Sequence, residues 1–116
     1  MELDTLILHI TSKSAWESAQ QAGEYSAPSL ASEGFIHCST TAQVIETAER
    51  FYAGQRGLVL LVLDSEWIQA VVKYEAGTDK PDELFPHVYG TINLDAVTRV
   101  LDFEPDPAGC WSLPPL

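Results

Sequence analysis

Three histidines are the residues of this sequence whose type and spacing best suit chemistry. They lie in the apolar stretches LILHITS around His9, GFIHCSTTAQV around His37 and LFPHVYG around His87. Each histidine stands two residues before a hydroxyl group, and these hydroxyls belong to Thr11, Ser39 and Tyr89. Because residues i and i+2 of a strand point to the same face, each imidazole is expected to have a hydroxyl beside it.

The shared pattern predicts one functional site, since clustered titratable groups in a cleft are its usual mark. For any one of the histidines taken alone, a buried imidazole with satisfied hydrogen bonds is the alternative. Thr11 and Ser39 are expected at strand-to-helix junctions, where free backbone N–H groups favour anions such as phosphates. The same two residues could instead be helix N-caps.

Common catalytic signatures are absent from the sequence. It contains no G-x-S-x-G, P-loop, G-x-G-x-x-G or C-x-x-C motif, so the signatures of the commoner hydrolases, nucleotidases and redox proteins are missing. A centre of three histidines, with Glu75 or Cys38 as a further ligand, would suit a metal ion. Hydroxyls rather than carboxylates accompany the imidazoles, which favours a small-molecule pocket, so no metal ligand is assigned.

Length and composition predict a single globular domain over residues 1–116, with 46% hydrophobic residues. No apolar run approaches the roughly 20 residues of a membrane span, and the acidic start MELDTLILHI does not resemble a secretory signal. A cytoplasmic location without a membrane partner is therefore expected. The net charge of −11, from 17 acids and six scattered bases, disfavours nucleic-acid binding.

Periodicity predicts the elements that must position the histidines. In the first half we expect a strand at 3–10, a helix from a capping box at 14–17 to Gly23, and a tight turn or one helical turn at 28–34. A strand at 35–38 and a helix from a second capping box at 40–43 to Gly54 follow. In the second half we expect a central strand at 58–63, a capped turn at 64–67, a strand at 70–75 and a polar lid loop at 76–84. Strands at 87–92 and 98–103, a turn at 106–109 and a tail docked by Trp111 follow. Because the helices come early and the strands late, the order indicates the α+β class.

Several motifs carry a resemblance to a known family: His9-Ile-Thr11, Trp16, Gly23-Glu-Tyr25, the run Gly34–Ser39, and Phe85–Gly90. In these the chain resembles the domain-of-unknown-function 952 family (DUF952) over nearly its whole length. The resemblance implies a fold similar to the ADP-ribosyltransferase superfamily. That fold is a split of two small, mostly antiparallel sheets, with two main helices packed on them, around an NAD-binding cleft.

Within that superfamily, the RNA 2′-phosphotransferase branch has two motifs that His9-Ile-Thr11 and Ile36-His-Cys-Ser39 resemble. The resemblance implies that His9 hydrogen-bonds the nicotinamide-side ribose, with support from Thr11. It also implies that His37 and Ser39 line the phosphate or nicotinamide region. The superfamily's late-strand residue that orients the ribose has three candidates here: Glu75, His87 and Tyr89.

The predicted function is binding of NAD or an ADP-ribose-type nucleotide as small-molecule partner, with transferase or glycohydrolase activity as its extension. The predicted catalytic residues are His37, His87 and Glu75, and the predicted residues for binding the cofactor NAD are His9, Thr11, Tyr25, Ser39 and Tyr89. One alternative is a non-catalytic binding or interaction module, and another is a metal-dependent enzyme built on the three histidines. The sequence leaves open whether the protein is an enzyme.

Overall fold

A computed structural model describes residues 5–78 and 80–116 of the chain. In those ranges the elements follow in the order β1 (Leu6–Ser12), α1 (Lys13–Ala22), β2 (Glu24–Tyr25), α2 (Pro28–Glu33), β3 (Ile36–His37), α3 (Val44–Phe51), β4 (Leu58–Asp64), β5 (Val71–Ala76), β6 (Leu84–Tyr89), β7 (Ile92–Asn93), a 3₁₀ turn (Leu94–Ala96) and β8 (Val97–Asp102). The α+β class with antiparallel pairing is confirmed.

The largest sheet has the order β1-β4-β8, with the continuous apolar strand β4 in the centre. Six consecutive residues of β4 are buried, as expected for a strand covered on both faces. Side chains of β1 alternate between two cores: Leu8 packs in the core that contains α3, and Ile7 packs in the core that contains β3 and β6. His9 shares the face of Ile7, because the period of a strand is two.

Two further antiparallel groups cover the Ile7 face of this sheet. One is the sheet β3-β6-β5, and the other is the two-stranded ribbon β2-β7. A single bridge ties the end of β3 to β1: Leu8 N donates to Ser39 O at 2.7 Å, and Ser39 N donates to Leu8 O at 2.8 Å. This bridge brings the segment of His37 directly beside that of His9.

The predicted strand at 87–92 is wrong as a single element. It is two strands, β6 and β7, that leave each other at Gly90 and pair with different partners. A Cβ at Gly90 would lie 2.9 Å from Cβ of Ala70, so glycine permits the close crossing at this point. The architecture therefore has three antiparallel groups rather than the two predicted.

Helix starts also differ from the prediction. Ser12, not Ser14, caps α1, since its hydroxyl accepts from the Ala15 N–H at 3.1 Å. The strand β1 ends at Ser12 and α1 begins at the next residue, Lys13. Ser14 therefore lies inside the helix, where it cannot be the first residue of a capping box. Residues 28–34, predicted as a tight turn or one helical turn, form the short helix α2, which ends at Glu33 with Gly34 as its C-cap.

The box at 40–43 is half formed. Gln43 Oε1 accepts from the Thr40 N–H at 3.0 Å, but α3 begins only at Val44. On α3 the apolar side chain of Phe51 is 55% exposed. The capped turn after Asp64 and the docking of Trp111 against Phe103 are confirmed.

Parts of two predicted elements, residues 3–4 of the first strand and residue 79 of the lid loop, lie outside the described ranges. Within those ranges, none of the helices has the length and apolar character needed to span a bilayer.

Candidate functional site

The imidazole of His9 is buried and fully hydrogen-bonded. Its Nδ1 lies 2.6 Å from the carbonyl oxygen of His37, and its Nε2 lies 2.7 Å from the hydroxyl of Tyr25. A carbonyl can only accept, so Nδ1 carries a proton. Burial lowers the pKa of His9 to about 4, so the ring is neutral at pH 7. His9 therefore joins three segments of chain and has no ring nitrogen to spare.

Tyr25 continues this network. Its hydroxyl also lies 3.0 Å from Oγ1 of Thr11, and its side chain is almost completely buried. Burial raises the pKa of Tyr25 to about 12, so the phenol stays protonated. We call the connected side chains of Thr11, Tyr25 and His9 the tyrosine network.

His37 is held in a different way. Its Nε2 lies 2.9 Å from Oε2 of Glu33, and each of the two side chains is 40% exposed. Glu33 is the last residue of α2, and Gly34 then turns the chain with a φ of 90°. This left-handed glycine lets the carboxylate at the helix end reach the imidazole of His37 in β3.

His87 lies directly opposite His37 in the pairing of β3 with β6. Its Nδ1 lies 3.0 Å from Oε1 of Glu75 on β5, and Tyr89 donates a hydrogen bond to the same oxygen. The bond from Tyr89 and then that from His87 lower the pKa of Glu75, and the bond to Glu75 raises that of Tyr89. We call Glu33–His37 and Glu75–His87 the carboxylate–imidazole pairs.

Phe35 holds these two pairs together. Its ring centroid lies 4.8 Å from that of His37 and 4.0 Å from that of His87, edge-on in the second case. The centroids of the two imidazoles are 5.4 Å apart. Such edge-on packing restricts ring rotation, so the separation of the two histidines is set by the protein.

All three imidazoles line one cavity of about 560 Å³. Six of the eight site residues predicted from the sequence line it: His9, Thr11, Tyr25, His37, Ser39 and His87. Glu75 and Tyr89 do not line the cavity, and they contact it only through His87. Ser39 does not cap α3, and its hydroxyl lies 3.3 Å from that of Thr47.

The polar loop between β5 and β6 covers one side of the cavity. Lys80 Nζ contacts both carboxylate oxygens of Glu46 on α3 at 2.8 and 2.9 Å, and it contacts Glu83 at 3.1 Å. The hydrogen bonds that Lys80 donates to Glu46, which is the largest cause, and to Glu83 raise the pKa of Lys80. Gln43 adds a bond to Glu83 at 2.8 Å. Lys80 and Glu83 of the loop are thus tied to α3 and to the residue before it.

The geometry does not match a three-histidine metal centre. Both nitrogens of His9 are bonded to protein groups, and burial raises the pKa of the Cys38 thiol to about 12. Residues 5–78 and 80–116 contain no group of three or more His, Cys, Asp or Glu arranged to hold a metal ion.

Sequence reasoning missed Glu33, Phe35 and the Lys80–Glu46 contact. Glu33 stands four residues before His37, a spacing that brings side chains together only in a continuous helix, and Gly34 interrupts it here. Phe35 shares the strand face of His37, but its contact with His87 depends on strand pairing. None of the three had a local signal strong enough to identify it.

Comparisons with known proteins agree on family and fold. The sequence profile of the family described as "Protein of unknown function (DUF952)" matches residues 10–100. The crystal structure of protein CC0527 from Caulobacter crescentus is similar with a TM-score of 0.83 and 34% identity, covering 94% of this chain and 95% of that one. The solution NMR structure of CC0527 gives 0.78 and 35%, covering 90% of each chain.

No curated protein matches the chain. These matches name neither an activity nor a ligand, and they do not include the ADP-ribosyltransferase superfamily or its RNA 2′-phosphotransferase branch. That part of the resemblance remains a proposal.

Proposed function

We propose that this chain, which belongs to the DUF952 family of proteins of unknown function, binds a small-molecule nucleotide of the NAD or ADP-ribose type in the histidine-lined cavity. One observation carries the proposal: imidazoles from β1, β3 and β6 line a single cavity together with hydroxyl groups. Its volume of about 560 Å³ falls in the range of roughly 300–1,000 Å³ for small-molecule sites.

The lining suits a ligand with distinct parts. Tyr52 and Phe85 supply aromatic surface for a base, while His37 and Ser39 supply polar contacts for a ribose or its substituents. Lys80 and Arg50 line the same cavity and supply positive charge for a pyrophosphate. Both cations contact Glu46, so an entering phosphate must compete with that carboxylate.

In this proposal the residues of the tyrosine network have a different role from His37, His87 and the residues that support His87. His37 and His87 face the ligand, and Glu75 and Tyr89 hold His87 in position. His9, Thr11 and Tyr25 form the tyrosine network behind them, and they fix the wall of the cavity. The proposal extends to transferase or glycohydrolase chemistry, in which a polarised imidazole beside a carboxylate acts on the ribose.

Titration of the protein with NAD and with ADP-ribose, followed by NMR amide shifts and calorimetry, tests the proposal. We expect saturable shifts at Thr11, Ser39 and the β6 amides. We also expect weaker binding by a His37→Asn variant and unchanged binding by Glu66→Gln, whose exposed side chain lies outside the cavity.

Absence of any shift with either ligand at about 1 mM, the weak end of specific affinity, would rule the proposal out. Binding of intact NAD or ADP-ribose without turnover of any tested derivative would favour the non-catalytic alternative.

A further inference from the structure

The two carboxylate–imidazole pairs fix which ring nitrogens remain available. Glu33 bonds Nε2 of His37, and Glu75 bonds Nδ1 of His87. A carboxylate only accepts, so in each neutral ring the bonded nitrogen carries the proton and the other holds a lone pair. These second nitrogens, Nδ1 of His37 and Nε2 of His87, have no hydrogen-bond partner among residues 5–78 and 80–116.

The spacing of the two rings suits action on one bond. Their centroids are 5.4 Å apart, and Phe35 packs on both. Both rings line the same cavity, so one bound ligand can contact the two of them together. Carboxylates behind both rings hold them in orientation, as the buried aspartate does in a catalytic triad.

We infer that His37 and His87 act as general acid and general base in the hydrolysis of an O-linked ribosyl conjugate. The substrate class is ADP-ribose whose C1″ carries an alcohol through oxygen. This inference rests on the proposed function, since it names the ligand of the same cavity. Glu33 and Glu75 are positioning residues, because they act through the imidazoles.

The nature of the leaving group favours this class over NAD itself. Nicotinamide leaves the ribose of NAD as a neutral molecule, so its departure needs no proton. An alkoxide is a poor leaving group and departs only as it takes up a proton. Two oriented imidazoles in one cavity therefore match a bond to oxygen, for which both an acid and a base are needed.

The step balances with water as the only co-reactant. His87 Nε2 takes a proton from water, and the water oxygen forms the new bond to C1″. The C1″–O bond breaks with its electron pair on the departing oxygen, which takes the proton of Nδ1 from the His37 imidazolium. The products are ADP-ribose and the free alcohol, and exchange with solvent returns a proton to His37 and removes one from His87.

The different burial of His87 and His37 decides which of them is the general base and which is the general acid. His87 is 2% exposed and is backed by Glu75, a carboxylate with a lowered pKa that keeps Nδ1 as the protonated nitrogen. Its Nε2 is therefore the lone-pair nitrogen. The side chain of His37 is 40% exposed, so it can take up a proton from solvent after each turnover.

The test compares 1″-O-methyl ADP-ribose with 1″-O-(4-nitrophenyl) ADP-ribose as substrates. We expect His37→Asn to lower kcat for the methyl conjugate by about 100-fold or more, the usual value of a general acid. For the nitrophenyl conjugate we expect a loss below about tenfold, because nitrophenolate leaves unprotonated. Added imidazole should restore part of the methyl activity of His37→Ala, an effect that a merely structural role would not produce.

Glu75→Gln tests the base without removing a buried ring, because a glutamine oxygen can still accept from Tyr89 and His87. We expect it to lower kcat on both conjugates with little change in KM. Glu33→Gln should lower kcat chiefly on the methyl conjugate, and Glu33→Asp should retain more activity than Glu33→Gln. Glu66→Gln serves as the matched control and should leave both rates unchanged.

Two results would overturn the inference while the proposed function stands: ADP-ribose binds but neither conjugate is hydrolysed, or His37→Asn affects both conjugates equally. Failure of ADP-ribose itself to bind would overturn the proposed function, and the inference with it. Hydrolysis with the expected dependence on leaving group would support both.

Discussion

The tyrosine network and the carboxylate–imidazole pairs line the same cavity, yet their imidazoles are held in opposite ways. His9 has a protein partner for each ring nitrogen and burial lowers its pKa to about 4. His37 and His87 each have one nitrogen held by a carboxylate and the other without a protein partner in the described ranges. The difference shows that, within the lining of a single cavity, one residue type can have both ring nitrogens bonded by the protein or only one.

The largest expected effect follows from removing the centre of the tyrosine network. His9→Leu keeps most of the side-chain volume but leaves the His37 carbonyl without its buried partner and the Tyr25 hydroxyl with only Thr11. We expect the free energy of unfolding at pH 7 to fall by about 3 kcal/mol, the sum of two lost buried hydrogen bonds. Urea unfolding measures this, and a loss below about 1 kcal/mol would contradict the structural role.

Acid should remove the same stabilisation from the unaltered protein. Burial lowers the pKa of His9 from its ordinary value of 6.5 to about 4 in the fold, so the unfolded chain takes up the proton first as pH falls. The contribution of neutral His9 is therefore full above about pH 6.5 and is lost progressively down to about pH 4, by an amount on the order of 3 kcal/mol.

The difference in stability between the unaltered protein and His9→Leu isolates this effect from the carboxylates that titrate in both. We expect that difference to shrink between pH 6.5 and pH 4. A difference that stays constant over this range would mean that His9 is not buried in its neutral form.

A smaller loss is expected at the next residue of the network. Tyr25→Phe keeps the buried ring and removes only the hydroxyl, which leaves Nε2 of His9 without a partner. Thermal and urea unfolding should show a loss of about 1–2 kcal/mol. Tyr52→Phe is the matched control, since the Tyr52 hydroxyl forms no hydrogen bond with other described residues. A comparable loss of stability in Tyr52→Phe would mean that the loss in Tyr25→Phe does not come from its hydrogen bonds.

The smallest effect on stability is expected at the exposed pair. Glu33→Gln changes a carboxylate that is 40% exposed, so the free energy of unfolding should stay within about 0.5 kcal/mol of the original. If chemistry depends on this pair, activity should fall in the same variant. A stability loss as large as that of Tyr25→Phe would place Glu33 with the structural network and not with the chemistry.

Much of the fold could be predicted because its signals are local. The uninterrupted apolar run of β4 predicted a central strand, and the apolar stretch around His9 predicted the strand β1. The start of α1 could not be fixed, because Ser12 and Ser14 are both good caps and the choice depends on how far β1 pairs with β4. The break at Gly90 likewise depends on Ala70, twenty residues away.

The candidate site likewise has a part that local sequence spacing predicted and a part that it could not predict. Equal spacing of histidine and hydroxyl in three segments predicted that these side chains belong together, and six of the eight predicted residues line one cavity. Glu75 and Tyr89 could not be separated from them by sequence, because strand periodicity gives the face of a residue and not its distance from a cavity.

By itself the sequence determined the α+β class, the strand faces and the set of imidazoles, since these depend on residue type and on neighbours two to four positions away. Tertiary structure alone decided which imidazole has both nitrogens hydrogen-bonded and which has one nitrogen without a partner among the described residues. The physical reason is that the deciding partners, the His37 carbonyl, Tyr25, Glu33 and Glu75, reach their imidazoles through strand pairing and a glycine turn. Only pairing between distant segments sets those distances.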